Sequence, residues 1–312
     1  MNEILERIQQ SSHITVIAHV NPDADSLGGA SAMYTHILRL HKKVSFFCAS
    51  TNLNQKLSFL PWFDKIRSSF PPSSDLAISF DCASQERLGI DLERDLINVD
   101  HHKSNIHFGK FSLIDANCIS TTEVLYNFFT QNGIEINKKM ATALYAGLLE
   151  DSNGFMSNKV DGTTFALGSK LIAQGADYRV CHQFIMHYLT LGAFRLKGLM
   201  QTNMELLNDG RIAIFCVSNE DMKRTGAIGT DCEYALEEAL YLPTVEISLL
   251  LLQNYDLSIK GSLRSKNRLD VSAIASQLGG GGHLNRAGFN IKNGVSLEST
   301  KIEMLKLIHK DM

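Results

Sequence analysis

The run Ile14-Thr-Val-Ile-Ala-His19-Val-Asn-Pro-Asp23-Ala-Asp25-Ser26 decides how the rest of the chain is read. Its apolar stretch, Ile14 to Ala18, has the length and composition of a buried strand, and it stops at a turn built on Pro22 and two aspartates. Beyond the turn a helical pattern runs from Ser26 to about His41. Pro22 is expected to push Asn21 into an extended conformation, and Asp23 and Asp25 can both project from one edge of the loop. Taken alone, such a turn is most simply an Asp-rich connection in which Asp25 or Ser26 caps the helix.

Working outward, VSFFC (44–48), LAISF (76–80) and LINV (96–99) repeat the short buried-strand pattern. Ser120 followed by Glu123 opens a helix with a capping box that Gly133 stops, and Lys138 to Glu150 forms another helix. Alternating strands and helices predict an α/β fold with a mostly parallel sheet flanked by helices on both faces. Residues 188–208 lack strand character and read as a connecting helix that ends at the Asn208–Gly210 turn. Domains are therefore placed at 1–190 and 209–312, with 191–208 as the connector. RIAIFCV (211–217), a helix near Cys232 to Tyr241, VEISLLLLQ (245–253), LSIKGSLRS (257–265), a helix near Val271 to Leu278, a glycine cluster and a closing helix from Leu297 make a smaller α/β unit.

A chain of 312 residues exceeds what one hydrophobic core usually serves, which agrees with two domains. With 44% hydrophobic and 20% charged residues the composition is that of a globular protein, not of a disordered or fibrous one. A net charge of -3 argues against the basic footprint of a protein that grips long DNA or RNA. Cys48, Cys82, Cys118, Cys181, Cys216 and Cys232 are scattered without a C-x-x-C pair, so neither a zinc site nor a disulfide framework is suggested, and a reducing cytoplasm fits. The amino terminus, MNEILERIQQSSH, reads as an amphipathic helix without the features of a signal peptide, and no apolar run is long enough for a membrane span.

Chemistry-bearing residues recur where strands end. LAISF runs into Asp81, and LINV runs into Asp100-His101-His102, so three strands finish in His or Asp. In an open α/β sheet those ends form the ligand crevice, and the side chains are expected to converge. A surface turn accounts for Asp81 alone but not for an Asp-His-His triplet at an equivalent position. Leu144-Tyr-Ala-Gly-Leu-Leu-Glu-Asp151 ends a helix in a carboxylate, which opposes the macrodipole and which a cation would relieve. Two imidazoles with several carboxylates suit Mn²⁺ or a related hard divalent ion better than a thiolate metal site. In the C-terminal half, Gly279-Gly280-Gly281-Gly282-His283-Leu-Asn-Arg286, preceded by Arg264 and Ser265, has the flexible backbone and cationic side chains of a phosphate cradle, the plainer alternative being a linker loop.

Together HVNPDADS, DCAS, DHH and LYAGLLEDS resemble the ordered motifs of DHH phosphoesterases, and GGGGHLNRAG resembles the signature of their DHHA1 domain. The resemblance covers nearly the whole chain and is nearest to the bifunctional nanoRNase/pAp phosphatase group, with cyclic di-AMP phosphodiesterases also similar. It implies an N-terminal DHH domain and a smaller C-terminal α/β DHHA1 domain. By matching motif position it implies two Mn²⁺ ions, with Mg²⁺ or Co²⁺ as substitutes: His19, Asp23 and Asp81 for one, Asp25, Asp81, His101 and Asp151 for the other. Asp81 bridges, Asp100 orients an imidazole, and His102 faces the scissile phosphate. Arg264, Ser265, Gly280, Gly281, Gly282, His283 and Arg286 are the implied substrate contacts, brought into play by domain closure.

The substrates implied are short RNA or DNA oligonucleotides or small nucleotides, with no groove for a long strand; a homodimer is compatible. Where family members often carry Arg after the fourth-motif Asp this chain has Asn153-Gly154, and where they often carry a second Ala it has Arg286. An inorganic pyrophosphatase shares the N-terminal cluster, but the GGGGH segment speaks against it. A catalytically silent nucleotide-binding regulator would need the glycine segment and not every carboxylate.

Overall fold

The computed structural model describes residues 3–266, 269–292 and 294–311; Met1 and Asn2, which open the expected N-terminal helix, lie outside the described residues. Contacts divide the chain into two compact units, Met1–Tyr188 and Leu189–Met312.

The first unit is built on six strands: β1 (His13–Ala18), β2 (Lys43–Phe47), β3 (Ile66–Arg67), β4 (Leu76–Phe80), β5 (Leu96–Asp100) and β6 (Phe111–Ile114). They lie in the order β3-β2-β1-β4-β5-β6 with every pairing parallel. From β1 the chain moves outward to β3 and then returns to the other side of β1 with β4. The sheet order therefore reverses between β1 and β4, and a crevice is expected at their carboxyl ends. His19 follows β1 directly, Asp81 follows β4, and Asp100 is the last residue of β5.

Among the described residues this unit has six α-helices: α1 (Glu3–Gln10), α2 (Ala24–Arg39), α3 (Thr121–Gln131), α4 (Lys138–Asp151), α5 (Gly162–Ala173) and α6 (Tyr178–Ile185). Ile14 and Val16 of β1 pack in one core with Leu27 and Ile37 of α2, Phe129 of α3 and Leu144 and Leu148 of α4. These side chains are almost wholly buried, each contributing roughly 1.5–3 kcal/mol. A smaller cluster on the opposite face joins Ile17, Phe47, Ala77 and Leu96 to Leu88, with Phe70, Ile90 and Leu92 packed against it from connecting segments.

Three local expectations change. Asn21 sits at φ 53°, in the left-handed region and not extended; asparagine tolerates this, and its amide donates to Ser50 Oγ at 2.7 Å. Helix α2 begins at Ala24, two residues early, because Asp23 is its cap and accepts from the Ser26 amide at 3.0 Å. Ser120 caps α3 by accepting from the Glu123 amide, but Glu123 returns to the amide of Ile119, so the capping box is not reciprocal at Ser120.

The second unit contains α7 (Leu191–Thr202), β7 (Glu205–Leu207), β8 (Ile212–Val217), α8 (Asn219–Thr225), α9 (Glu233–Ala239), β9 (Ile247–Gln253), β10 (Ile259–Ser265), α10 (Val271–Ser276), β11 (Gly281–His283), β12 (Arg286–Ile291) and α11 (Leu297–Asp311). Its mixed sheet runs β11-β12-β10-β9-β8-β7. Alternate residues of β8 and β9 feed two cores, one shared with α7, α8 and α9, the other with α10 and α11. The stretch expected to lack strand character holds β7, which pairs antiparallel with β8. Its three residues, ELL, are too few to show a period in sequence. Likewise the glycine cluster is not a free loop: Gly281–His283 pairs with β12 as an edge strand.

Candidate metal centre

Three groups of His and Asp side chains, with ligand atoms within 4.8 Å of one another in each group, gather at the carboxyl edge of the parallel sheet. They are His19, Asp23 and Asp81; Asp25, His101 and Asp151; and Asp81, His101 and His102. Asp81 and His101 each serve two groups, so the clusters form one continuous centre. Every ligand-type residue singled out in the N-terminal half is present in it.

His19 sits where β1 ends and is almost completely buried. Its Nδ1 lies 2.9 Å from the Val20 carbonyl, which fixes that nitrogen as the donor and aims Nε2 into the centre. Nε2 is buried without a hydrogen-bond partner, although Asp81 Oδ2 lies at 3.4 Å and Asp23 Oδ2 at 3.5 Å. Two carboxylate oxygens around an orphaned imidazole nitrogen leave the place a divalent cation would take. Burial pushes the His19 pKa down, but Asp23 and Asp81 outweigh it and hold it at about 10, so a proton stands in for that charge.

Asp81 adopts φ 61°, a left-handed conformation uncommon for a residue with a side chain. Thr121 Oγ1 donates to its Oδ1 at 2.9 Å, and the other oxygen faces His19. Asp23 divides its carboxylate similarly, one oxygen capping α2 and the other turned to His19.

Asp25 does not project from the loop edge beside Asp23. It is fully buried in the first turn of α2 and points at the amino terminus of α3. The Thr121 amide donates to Oδ2 at 2.7 Å, and the Thr122 amide and hydroxyl donate to Oδ1 at 2.9 and 2.7 Å. A helix start offers unpaired amides and a positive dipole end, which is how an acid can be buried here. Even so, burial first, then repulsion from Asp151 and Asp81, raises its pKa well above the carboxylate norm.

His101 Nε2 faces Asp151 Oδ2 at 3.2 Å and Asp81 Oδ1 at 3.5 Å. Burial lowers its pKa, but the hydrogen bond to Asp151 and the charges of Asp25, Asp151 and Asp81 win and hold it at about 9. Asp151 is thus not a bare anion at the end of α4. Its neighbour Glu150 points elsewhere, accepting from the Ala24 amide and pairing with Lys56 at 3.2 Å.

Asp100 is wholly buried and accepts from His102 Nδ1 at 2.8 Å, from the His101 amide at 2.8 Å and from Asn105 Nδ2 at 2.5 Å. Burial raises its pKa, but these donors prevail and hold it below the norm, while its own hydrogen bond raises that of His102. The His102 side chain remains 43% exposed, so its Nε2 is open to a ligand.

Several supporting residues escaped sequence reasoning. Asn105 also donates to Asn98 Oδ1, and Asn98 donates to Ser79 and to the Cys82 carbonyl, tying the turn after Asp81 to Asp100. Arg87 Nη2 stands 3.0 Å from His19 Nδ1, but with that nitrogen donating to Val20 the contact is not a hydrogen bond. Thr121 and Thr122 follow the Ser120 cap, and a run of hydroxyl residues at a helix start is the signal that was available.

The second-unit candidates are less uniform. Arg264 is buried beside Glu233, to which it donates, with Glu237 3.9 Å away. Its Nε faces Glu237 without a hydrogen-bond partner among the described residues, and burial lowers its pKa ahead of the neighbouring Arg286 charge. Ser265 is turned inward, donating to the Leu269 carbonyl at 2.7 Å and accepting from Asn285. His283 and Arg286 face each other across the hairpin and are exposed. A Cβ on Gly280 would lie 2.2 Å from the Gly288 carbonyl oxygen, and one on Gly282 would lie 2.3 Å from that of Arg286. The hairpin itself therefore demands those two glycines, whereas Gly281 faces open space.

Comparison with known proteins matches residues 13–148 to the "DHH family, N-terminal domain" and residues 216–312 to the "DHHA1 domain". The chain is 24% identical to a bifunctional oligoribonuclease and PAP phosphatase NrnA of Thermus thermophilus, over 99% of this chain and 93% of that one. It is 25% identical to the protein of the same description in Bacillus subtilis, over 93% and 92%. A crystal structure of an exopolyphosphatase-related protein from Bacteroides fragilis shares the fold, with a TM-score of 0.86 at 22% identity over 99% of this chain and 95% of that one. No described helix is long and apolar enough to cross a membrane. With both matches in order and the His and Asp clusters assembled at the sheet edge, the chain carries a DHH family N-terminal domain followed by a DHHA1 domain.

Proposed function

We propose that the protein hydrolyses phosphoester bonds in very short oligonucleotides and small nucleotides such as pAp and pApA, releasing mononucleotides, with two Mn²⁺ ions for which Mg²⁺ or Co²⁺ can substitute. The observation that carries this reading is the sharing of Asp81 and His101 between adjacent ligand clusters, with a buried, unpartnered His19 Nε2 in one of them. The relatives described as bifunctional oligoribonuclease and PAP phosphatase support short oligoribonucleotides and pAp among these substrates.

In this reading His19, Asp23 and Asp81 would hold one ion and Asp25, Asp81, His101 and Asp151 the other, with Asp81 common to both. Two divalent ions bound there supply Lewis acidity at a phosphoryl oxygen and a water made acidic near neutral pH. The residues do the rest. Asp100 holds His102 in one tautomer and favours its charged form, so that Nε2 donates to the phosphoryl oxygen as negative charge develops. Thr121 and the start of α3 orient Asp81 and Asp25. From the DHHA1 domain, Arg264, Ser265, His283, Arg286 and the backbone of Gly280 to Gly282 are assigned to hold the substrate, with the His283 and Arg286 side chains exposed at the hairpin.

Turnover of pAp, pApA, a short RNA and cyclic di-AMP, measured side by side with Mn²⁺ and after chelation, tests the reading. Metal-dependent mononucleotide release from the first three is expected. Preference for cyclic di-AMP would reassign the substrate, and no metal-dependent turnover of any of them would overturn the hydrolase.

A further inference from the structure

A cleft of about 490 Å³ in the first unit is lined by His101, His102 and Asp151 of the metal centre and, beside them, by Lys103, Ser104 and Lys159. This volume lies within the range that accepts a small ligand. The two lysines come from separate segments, Lys103 from the turn after β5 and Lys159 from the stretch between α4 and α5. Both are exposed. Among the described residues neither ammonium group has a carboxylate within salt-bridge distance, although Asp151 lines the same cleft. Asp151 is engaged by His101, and His102 by Asp100. The remaining cationic capacity of the cleft therefore belongs to Lys103 and Lys159.

Charge balance gives that capacity a use. In the proposed centre Asp23, Asp25, Asp81 and Asp151 would offset the charge of two divalent ions, so a second, non-reacting anion would have to be met by side chains outside it. We infer that Lys103 and Lys159 form a second phosphate subsite, which receives a non-reacting phosphate of the substrate and makes the enzyme selective for nucleotides that carry two phosphate groups. This deepens the proposed function and rests on it. Ammonium groups act as point charges with freely rotating donors, and Ser104 adds a hydroxyl, so the subsite selects charge more than geometry.

The test compares kcat/KM for 5′-phosphorylated and unphosphorylated diadenylate in wild type, the Lys103→Ala/Lys159→Ala double variant and the Lys103→Arg/Lys159→Arg double variant. The ratio of the two substrates is the readout. It should fall by about tenfold or more in the alanine variant, survive in the arginine variant, and fall with rising salt in wild type. A ratio unchanged within about twofold by the alanine substitutions overturns the inference while leaving the hydrolase reading intact. Should wild type hydrolyse neither compound, the hydrolase reading fails by itself. Binding of adenosine 3′,5′-bisphosphate against AMP in EDTA then decides the subsite: tighter binding of the bisphosphate that is lost in the alanine variant supports it, and equal binding removes it.

Discussion

Gly147 in α4 stands so close to Asp25 that a Cβ there would lie 2.5 Å from its Oδ1 and 2.6 Å from Thr122 Oγ1. The absence of a side chain on α4 is what lets a buried carboxylate keep its hydrogen bonds to α3. In a helix, Gly→Ala normally stabilises by about 1 kcal/mol. At this position overpacking costs about 1–3 kcal/mol, so Gly147→Ala should lower stability and weaken metal binding together. Thermal unfolding and metal titration of the variant check this; a more stable protein with unchanged metal affinity would show that Asp25 is not held as described.

Metal binding should release protons. With His19 held at about 10 and His101 at about 9 in the metal-free state, both imidazoles carry protons at pH 7.5 that a cation must displace. Affinity should therefore rise with pH, and calorimetric titration in buffers of different ionisation enthalpy should report proton release. For the metal-free protein the sign is opposite. Both groups are raised above their ordinary value of 6.5, so their stabilisation is complete below about 6.5 and is lost as pH climbs towards 9 and 10.

Asp100→Asn removes the charge behind His102 while keeping the size of the side chain. Loss of that partner should cost about 10–100-fold in kcat, comparable to other carboxylates that orient an imidazole, with the fold retained. Because Asp100 raises the His102 pKa, any limb of the pH–rate profile set by His102 should move to lower pH. Wild-type kinetics with an unmoved profile would remove His102 from the reaction.

The substrate contacts assigned to the second unit should separate by burial. Arg264→Ala removes a buried side chain beside Glu233, where Lys260 and Ser262 still donate, and should destabilise the protein by about 0.5–3 kcal/mol. His283→Ala and Arg286→Ala remove exposed polar side chains, so they should raise KM with little change in stability. If these two variants leave KM unchanged, the glycine hairpin has no part in holding substrate.

The parallel sheet and the convergence of His19, Asp81, Asp100 and His101 were legible in sequence, because strands of period-free apolar residues end in chemistry at equivalent places. The inward turn of Asp25 was not, since the loop suggests a pair of carboxylates at its edge and only the packing of α2 against α3 and α4 turns one of them inside. The Asn98–Asn105–Asp100 network was also hidden, because it depends on which strands are neighbours. The pairing of Arg264 with Glu233 was hidden too, because the two residues lie on separate elements, β10 and α9. The glycine cluster suggested flexibility, whereas strand pairing explains Gly280 and Gly282 by close approach of backbones.

The proposed centre has Asp81 shared between two metal sites, and the stoichiometry of Mn²⁺ binding tests this most directly. Equilibrium binding followed by the electron paramagnetic resonance of free Mn²⁺ should give two ions per wild-type chain. The Asp81→Ala variant should lose high affinity for both at once, because the bridging carboxylate is common to them. Two ions bound by Asp81→Ala with unchanged affinity, or a single ion bound by wild type at saturation, would contradict a dinuclear centre bridged by this residue.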